Sequence, residues 1–343
     1  MLSNRELLEI EKARAKNRKL QPGLFMTLED LRFATNNKVA KYRAKRLACN
    51  TLVEIGCSIG AQTIEFAKTC KKVIAVDVDK RKIRYAQLNL KKFKNVELIC
   101  SDGLKLKLDK ADIIFCDPER APGAKKRVLT EFKPDIHELI KKYSKITKDF
   151  CIEIPPQTQE IDIDCEREYV SVDGELNRLN LYLGALKSSE TSAVVLPFFA
   201  RLEGQPNLPQ LTSTDISTYL YEINEAVVKA QLIDVLAAML EKETFLYKKD
   251  YKFLTSKDKI DSLFFKNSFK VIANLKNKKD AITELQKNKF GKVILRQNIG
   301  PKDYWNERKK YENKLTGNKI AHLFVNKNFY LICEKLSPAQ EKS

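Results

Sequence analysis

Residues 52–77 read LVEIGCSIGAQTIEFAKTCKKVIAVD. An apolar pair, Leu52 and Val53, leads into Glu54, and Gly56 and Gly60 then bracket a tight turn. Ala61, Ile64, Phe66 and Ala67 recur at helical spacing, and a second apolar run from Val73 to Val76 closes on Asp77. Strand, glycine turn, helix and a strand ending in an acid are the layout of a nucleoside-binding βαβ unit. The glycines admit a ligand that a Cβ would hold off. Asp77, at the C-terminal end of its strand, is able to accept two hydrogen bonds from ribose hydroxyls. A dinucleotide fold places G-x-G-x-x-G at a helix N-terminus to hold a pyrophosphate. Here the spacing is E-x-G-x-x-x-G, with Ser58 where a middle glycine stands in related turns.

Outward from this unit, strand and helix patterns continue to alternate. Strands are expected near 51–55, 73–77, 96–100, 112–117 and 149–154, which predicts an α/β fold with a parallel, doubly wound sheet. EREYVSV and ELNRLNLYLG flank Asp173-Gly174 and predict a hairpin. SAVVLPFFARL (192–202) reads as one further strand, and residues 224–243 carry the period of one helix. The first fifty residues have amphipathic helical spacing, with Thr27 ahead of Glu29-Asp30 as an N-cap. From Leu263 the pattern is βαβαββ, a small α+β domain. The expected organisation is therefore a helical region (1–50), a nucleoside-binding core (51–202), a connecting helical region (203–261) and an α+β domain (262–336).

The chain of 343 residues has no run of eighteen apolar residues, so no membrane-spanning helix is expected. Its N-terminus is charged and lacks the apolar core of a secretory signal. Eight cysteines without C-x-x-C pairs, and only two histidines, argue against a zinc site and for reduced thiols in a cytoplasmic protein. The net charge of +18 is uneven: residues 1–50 carry +7, residues 262–336 carry +11, and the remainder is neutral. Basic ends around a neutral core fit a polyanion such as RNA. In the last domain Arg308, Lys309, Lys310 and Lys314 lie near Tyr304, Trp305 and Tyr311, which combines cations with stacking surfaces.

Two further strand ends carry chemistry. Asp102 follows the VELIC run, where a carboxylate selects an adenine amine by accepting its N–H, or else caps the next turn. ADIIFCDPER (111–120) delivers Asp117-Pro118 to the carboxyl edge of the sheet. Asp117 is the leading catalytic candidate there, with Pro118, Glu119 and Arg120 beside it. Cys116 and Cys151 have the chemistry of a covalent nucleophile, but both lie in apolar strand-like runs and a covalent role is not favoured.

The E-x-G-C-x-x-G turn resembles motif I of the class I S-adenosylmethionine methyltransferases. With FMTLEDLRFATNNKVAKYRAKRL (25–47), DPERAPGAKKR, REYVSVDGELNRLNLYLGAL and YLYEINEAVVKAQL (219–232), the chain resembles bacterial and archaeal methyltransferases that carry a C-terminal THUMP-like domain. Their core is similar to trimethylguanosine synthase, a guanine-N2 methyltransferase. The resemblance implies a Rossmann-like class I methyltransferase sheet and S-adenosyl-L-methionine as cofactor. Glu54, Gly56, Ser58, Gly60, Asp77 and Asp102 would line the cofactor site, and Thr35 of ATNNK would lie on the cofactor side. In amino-methyltransferases D/N/S-P-P-aromatic holds the acceptor; DPER here lacks the aromatic. The expected activity is methylation of a base nitrogen, guanine N2 or another, in a structured RNA such as tRNA. A small-molecule or protein methyltransferase, and an RNA-binding protein with an inactive core, are the alternatives.

Overall fold

A computed structural model of the protein describes residues 2–120, 128–205, 212–240, 242–247, 250, 252–297, 299–326 and 329–337. The chain divides into two compact units, 1–206 and 207–343. The APGAKKR part of DPERAPGAKKR (117–127) lies outside the described residues.

The first unit opens with three helices, α1 (Asn4–Lys16), α2 (Leu28–Phe33) and α3 (Asn37–Arg46). Ser3 with Glu6, and Thr27 with Asp30, form capping boxes that satisfy N–H groups the first turn leaves orphaned. There follow β1 (Thr51–Ile55), α4 (Thr63–Thr69), β2 (Lys72–Asp77), α5 (Lys80–Leu90), β3 (Val96–Cys100) and β4 (Ile113–Cys116). A two-residue pair, β5 (Glu119–Arg120) and β6 (Phe132–Lys133), precedes α6 (Ile136–Tyr143) and β7 (Phe150–Ile154). The unit closes with β8 (Glu166–Val172), β9 (Glu175–Tyr182), β10 (Thr191–Leu196) and β11 (Ala200–Gly204).

Nine of these strands form one sheet in the order β11-β10-β8-β9-β7-β4-β1-β2-β3. Strands β3, β2, β1, β4 and β7 run parallel, and β9 lies antiparallel between β7 and β8. Chain order reverses between β1 and β4. At such a switch point the crossovers leave in opposite directions and a crevice opens beyond the carboxyl ends of the two strands. Strands β4 and β7 are buried throughout, which is why they read as unbroken apolar runs.

The N-terminal helices belong to this unit rather than forming a region apart. Ile10, Ala13, Leu24 and Met26 pack with Ile59, Ile64, Tyr85, Ala86 and Leu90, while Val39 and Tyr42 of α3 pack on Val170, Val172, Val194 and Leu196. Arg81 of α5 clamps Asp30 of α2 through two bonds of 2.8 and 3.1 Å. The single strand expected over 192–202 is a hairpin. Pro197 has no N–H to continue a ladder, Phe199 turns the chain at φ 56°, and β11 returns antiparallel to β10.

The second unit comprises β12 (Thr212–Ser213), β13 (Tyr219–Ile223), α7 (Glu225–Lys229), α8 (Ile233–Met239), β14 (Phe245–Tyr247) and β15 (Phe253–Ser256). It continues with β16 (Phe265–Leu275), α9 (Lys278–Lys287), β17 (Phe290–Arg296), α10 (Pro301–Glu312), β18 (Lys319–Asn326) and β19 (Phe329–Lys335), the βαβαββ order the sequence pattern predicts. Two expectations are corrected. The helix expected over 224–243 is two short ones, parted at Gln231 with φ 59°. Residues 203–261 are not a connector, because β13 pairs with both β15 and β16 and the whole forms an eight-stranded sheet. Leu220 and Phe253 need apolar partners, and they find Phe269, Leu331 and Cys333 there. Among the described residues no helix is long and apolar enough to cross a membrane.

Candidate active site at the switch point

The glycine turn leaves β1 through three residues with positive φ: Gly56 at 86°, Ser58 at 51° and Gly60 at 79°. A Cβ on Gly56 would stand 3.2 Å from the carbonyl oxygen of Asp117 at the end of β4, so the absence of a side chain is what lets the two strand ends meet. Ser58 takes the left-handed conformation that the missing glycine would take at no cost. Its N–H donates to Asp77 Oδ2 at 2.8 Å, and Asp79 N–H donates to Asp77 Oδ1 at 2.9 Å. Asp77 thus ties β2 to the turn, and each of its oxygens retains a lone pair for a ligand hydroxyl. The next residue, Val78, is 67% exposed, an apolar side chain beside a nucleoside-type acid.

Glu54 lies at the floor. It is buried, its Oε2 has no hydrogen-bond partner among the described residues, and burial pushes its carboxyl up to about 8. Asp102 bends its own turn, accepting Leu104 N–H at 2.9 Å, and no helix begins there. It therefore keeps one oxygen uncommitted to that turn.

Across the switch point the parallel register pairs Cys116 with Ile152, which sets Asp117 and Glu153 side by side at the ends of β4 and β7. The two carboxylates have different fates. Glu153 is buried in an ion cluster: it pairs with Arg43 of α3 and Arg178 of β9, and accepts from the Thr35 hydroxyl at 3.5 Å. Arg43, fully buried, also donates to Gln62 at 2.7 Å and Asn180 at 2.9 Å, and lies 4.7 Å from the centre of the Phe115 ring. Burial opposes ionisation of Glu153, but Arg43 and Arg178 outweigh it and hold the carboxyl below its ordinary range. Asp117 is displaced the other way. Burial and then the Glu153 charge raise its carboxyl, with Arg178 and Arg43 opposing. Lys19 borders the cluster; its ammonium donates to the carbonyls of Arg32 at 3.0 Å and Ala34 at 2.6 Å, and burial followed by Arg178 draws it down to about 8.

The structure therefore gathers Glu54, Gly56, Ser58, Gly60 and Asp77 around one turn and places Asp117 and Pro118 against it. Thr35 sits instead with Glu153, on the Asp117 side. Glu119 and Arg120 lie on β5 with exposed side chains, and Glu119 pairs with Lys82 of α5 at 3.0 Å. The thiols of Cys116 and Cys151 are buried and pushed up, Cys151 to about 12, which leaves no thiolate for covalent attack. No sequence motif singles out Arg43, Glu153, Arg178 and Lys19. Two signals were present: Arg43 shares the apolar face of α3 with Val39 and Ala40, and Glu153 interrupts the apolar strand FCIEI. A charge in such a position needs a buried partner.

Residues 52–135 match the family model described as a methyltransferase domain. An uncharacterized S-adenosylmethionine-dependent methyltransferase of Mycobacterium tuberculosis is 23% identical over 169 residues, 48% of this chain and 47% of its own. The ribosomal RNA small subunit methyltransferase A of Wigglesworthia glossinidia brevipalpis is 36% identical over 73 residues, 21% of this chain and 28% of that one. The chain thus spans less than half the length of both curated relatives. A solved structure from Porphyromonas gingivalis W83, described as a "putative methyltransferase", superposes with a TM-score of 0.75 at 15% identity, covering 96% of this chain and 89% of that one. At that identity the likeness speaks for the fold. Residues 52–135 form a class I, S-adenosylmethionine-dependent methyltransferase domain. The residues present fit that cofactor: an orphaned carboxyl oxygen on Glu54 for a ligand N–H, a glycine turn with positive φ at Gly56 and Gly60, spare acceptors on Asp77 for ribose hydroxyls, and an exposed apolar Val78.

Proposed function

We propose that the protein is an S-adenosylmethionine-dependent RNA methyltransferase acting on an exocyclic base nitrogen, guanine N2 first among them, in a structured RNA such as tRNA. The observation that carries this reading is Asp117. Its carboxyl lies at the switch point against the glycine turn, has no hydrogen-bond partner among the described residues, and is raised, while its neighbour Glu153 is fully engaged. An acceptor-only pair made of this carboxylate and the Pro118 carbonyl suits a group with two N–H donors, which an exocyclic amine is.

The cofactor would supply a methyl group on a sulfonium, an electrophile that needs no further activation because the electron pair of the broken C–S bond stays on a neutral thioether that leaves. Glu54 and Asp77 would hold its ammonium and ribose. Asp117 and the Pro118 backbone would hold the amine protons, aim the nitrogen lone pair at the methyl carbon and exclude water from the approach. With its carboxyl above the ordinary range, Asp117 is also placed to take the proton that the methylated nitrogen releases. The basic C-terminal unit, read as the THUMP-like domain, supports RNA as the polymer, as does the RNA named for the Wigglesworthia relative. A base inside a duplex would have to be flipped out, which favours a loop or junction.

Methyl transfer from radiolabelled cofactor to total RNA, followed by mass spectrometry of the nucleosides, tests the reading. Label should enter an N-methylated base. Asp117→Ala should abolish transfer while calorimetry still shows cofactor binding. Wild-type protein that binds the cofactor yet labels protein or small molecules, and not RNA, would overturn the RNA assignment.

A further inference from the structure

Helix α10 uses its inner side fully. Tyr311 is buried with Ala281, Leu285 and Val293, and the Tyr304 hydroxyl accepts Leu295 N–H at 3.3 Å. Its outer side is built differently. Lys302, Trp305 and Lys309 fall on one helical face, all three exposed, and Trp305 is 62% exposed. The indole is nevertheless braced. Tyr304 meets it edge-on, with ring centres 5.6 Å apart at 88°, and the Arg308 guanidinium lies 5.2 Å from its centre. Arg308 is itself anchored to Glu312 at 2.8 Å. Lys302 and Lys309 have no ion-pair partner among the described residues, and residues 262–336 carry +11.

A large flat ring, held in orientation, open to water and flanked by uncommitted ammonium groups, is what a single-stranded nucleic acid site requires. Resting on the RNA reading above, we propose that the outer face of α10 is a binding site for an unpaired nucleotide of the RNA, whose base stacks on Trp305 while its flanking phosphates meet Lys302 and Lys309. A paired duplex keeps its base faces stacked on one another, so the site selects loops and ends over helices. Charge settles the occupant: an apolar protein surface would gain nothing from two unpaired lysines beside the ring, whereas a polyanion does.

The chain has one tryptophan, so its intrinsic emission reports Trp305 alone. Titration of the full chain with short oligoadenylate should quench this emission, and an RNA duplex of equal length should quench it far less. By anisotropy of labelled oligoadenylate, Trp305→Ala should bind about 5- to 150-fold more weakly, and Trp305→Phe should recover most of the loss. Lys302→Ala and Lys309→Ala should each reduce the slope of log affinity against log salt by roughly 0.7. Trp305 is exposed, so its variants should keep the wild-type melting curve. Unmoved emission while oligoadenylate binds, no binding of oligoadenylate, or a Trp305→Ala chain that binds like wild type would overturn the site. Self-association abolished by Trp305→Ala would assign the face to a second copy and overturn it as well. RNA methylation with Trp305 silent would remove this site and spare the enzymatic reading; oligoadenylate quenching without RNA methylation would do the reverse.

Discussion

Gly56→Ala separates two consequences of one methyl group. At φ 86° an L-residue pays roughly 1–2 kcal/mol for the left-handed conformation. The new Cβ would also stand 3.2 Å from the Asp117 carbonyl oxygen, a backbone atom with no rotamer to retreat into. Pushing the strand ends apart adds about 1 kcal/mol of strain, for a total on the order of 2–3 kcal/mol. Gly23 provides the internal control. Its φ is 83°, and a Cβ there meets nothing within 4 Å. Gly23→Ala should therefore show the conformational cost alone, about 1 kcal/mol once the lower entropy of the unfolded alanine chain is credited. It should bind the cofactor like wild type. Urea denaturation of the two variants gives the stability difference, and calorimetry with S-adenosylmethionine gives the functional one. Gly56→Ala should lose at least tenfold in affinity, because the displaced carbonyl borders the glycine turn. If the two variants match in both stability and affinity, the close approach of β1 and β4 does not shape the site and the reasoning fails.

Ser58→Gly should stabilise the protein by about 0.5–1 kcal/mol in the same urea assay, since relief of a left-handed serine exceeds the entropy cost of glycine; a loss of stability would mean that the serine side chain has a role the turn geometry does not reveal. Arg43→Met should cost about 3–5 kcal/mol by leaving Glu153 buried without its main partner, and a neutral result would remove the cluster from the account of stability. Glu54 carries its proton in the folded state at pH values where the unfolded chain has released it. Its contribution is thus complete below its ordinary value near 4.5 and is lost as the pH rises toward 8. Wild-type stability should accordingly fall by a few kcal/mol, to order of magnitude, between pH 5 and 8 relative to Glu54→Gln. Parallel pH curves for the two proteins would show that Glu54 is ionised at pH 5.

Local pattern carried most of the fold. The five parallel strands, the Asp173-Gly174 hairpin and the C-terminal βαβαββ order follow from periods of two and 3.6 and from turn residues, all of which act over a few positions. What escaped depends on conformation or partnership at a distance. Phe199 and Gln231 take positive φ without being glycine, so neither the reversal between β10 and β11 nor the break between α7 and α8 is written in residue type. The role of residues 219–256 as strands beside β16 rests on a pairing about forty-five positions away, as Glu222 with Asn267 illustrates. No window of ten or fifteen residues contains it.

The site divides along the same line, and the division bears on which carboxylate is proposed to act. The cofactor half is legible because its parts are close in sequence: Glu54 to Asp77 is one βαβ unit, and chain connectivity alone brings Ser58 N–H to the Asp77 carboxylate. The other half gathers Thr35, Arg43, Asp117, Glu153 and Arg178, up to 143 positions apart, and only sheet order and helix packing join them. Without that order, Asp117 and Glu153 are equivalent acids near strand ends. The register makes them neighbours, and two adjacent carboxylates largely withdrawn from water do not both ionise readily unless cations compensate them. Arg43 and Arg178 are spent on Glu153. Asp117 is left with a raised carboxyl that makes no side-chain hydrogen bond among the described residues, beside the backbone of the glycine turn. The arginines thereby engage one acid in the buried ion cluster and leave the other unpaired, as the proposed amine site requires. That asymmetry, rather than the departure from D-P-P-aromatic, is the reason to place the chemistry at Asp117.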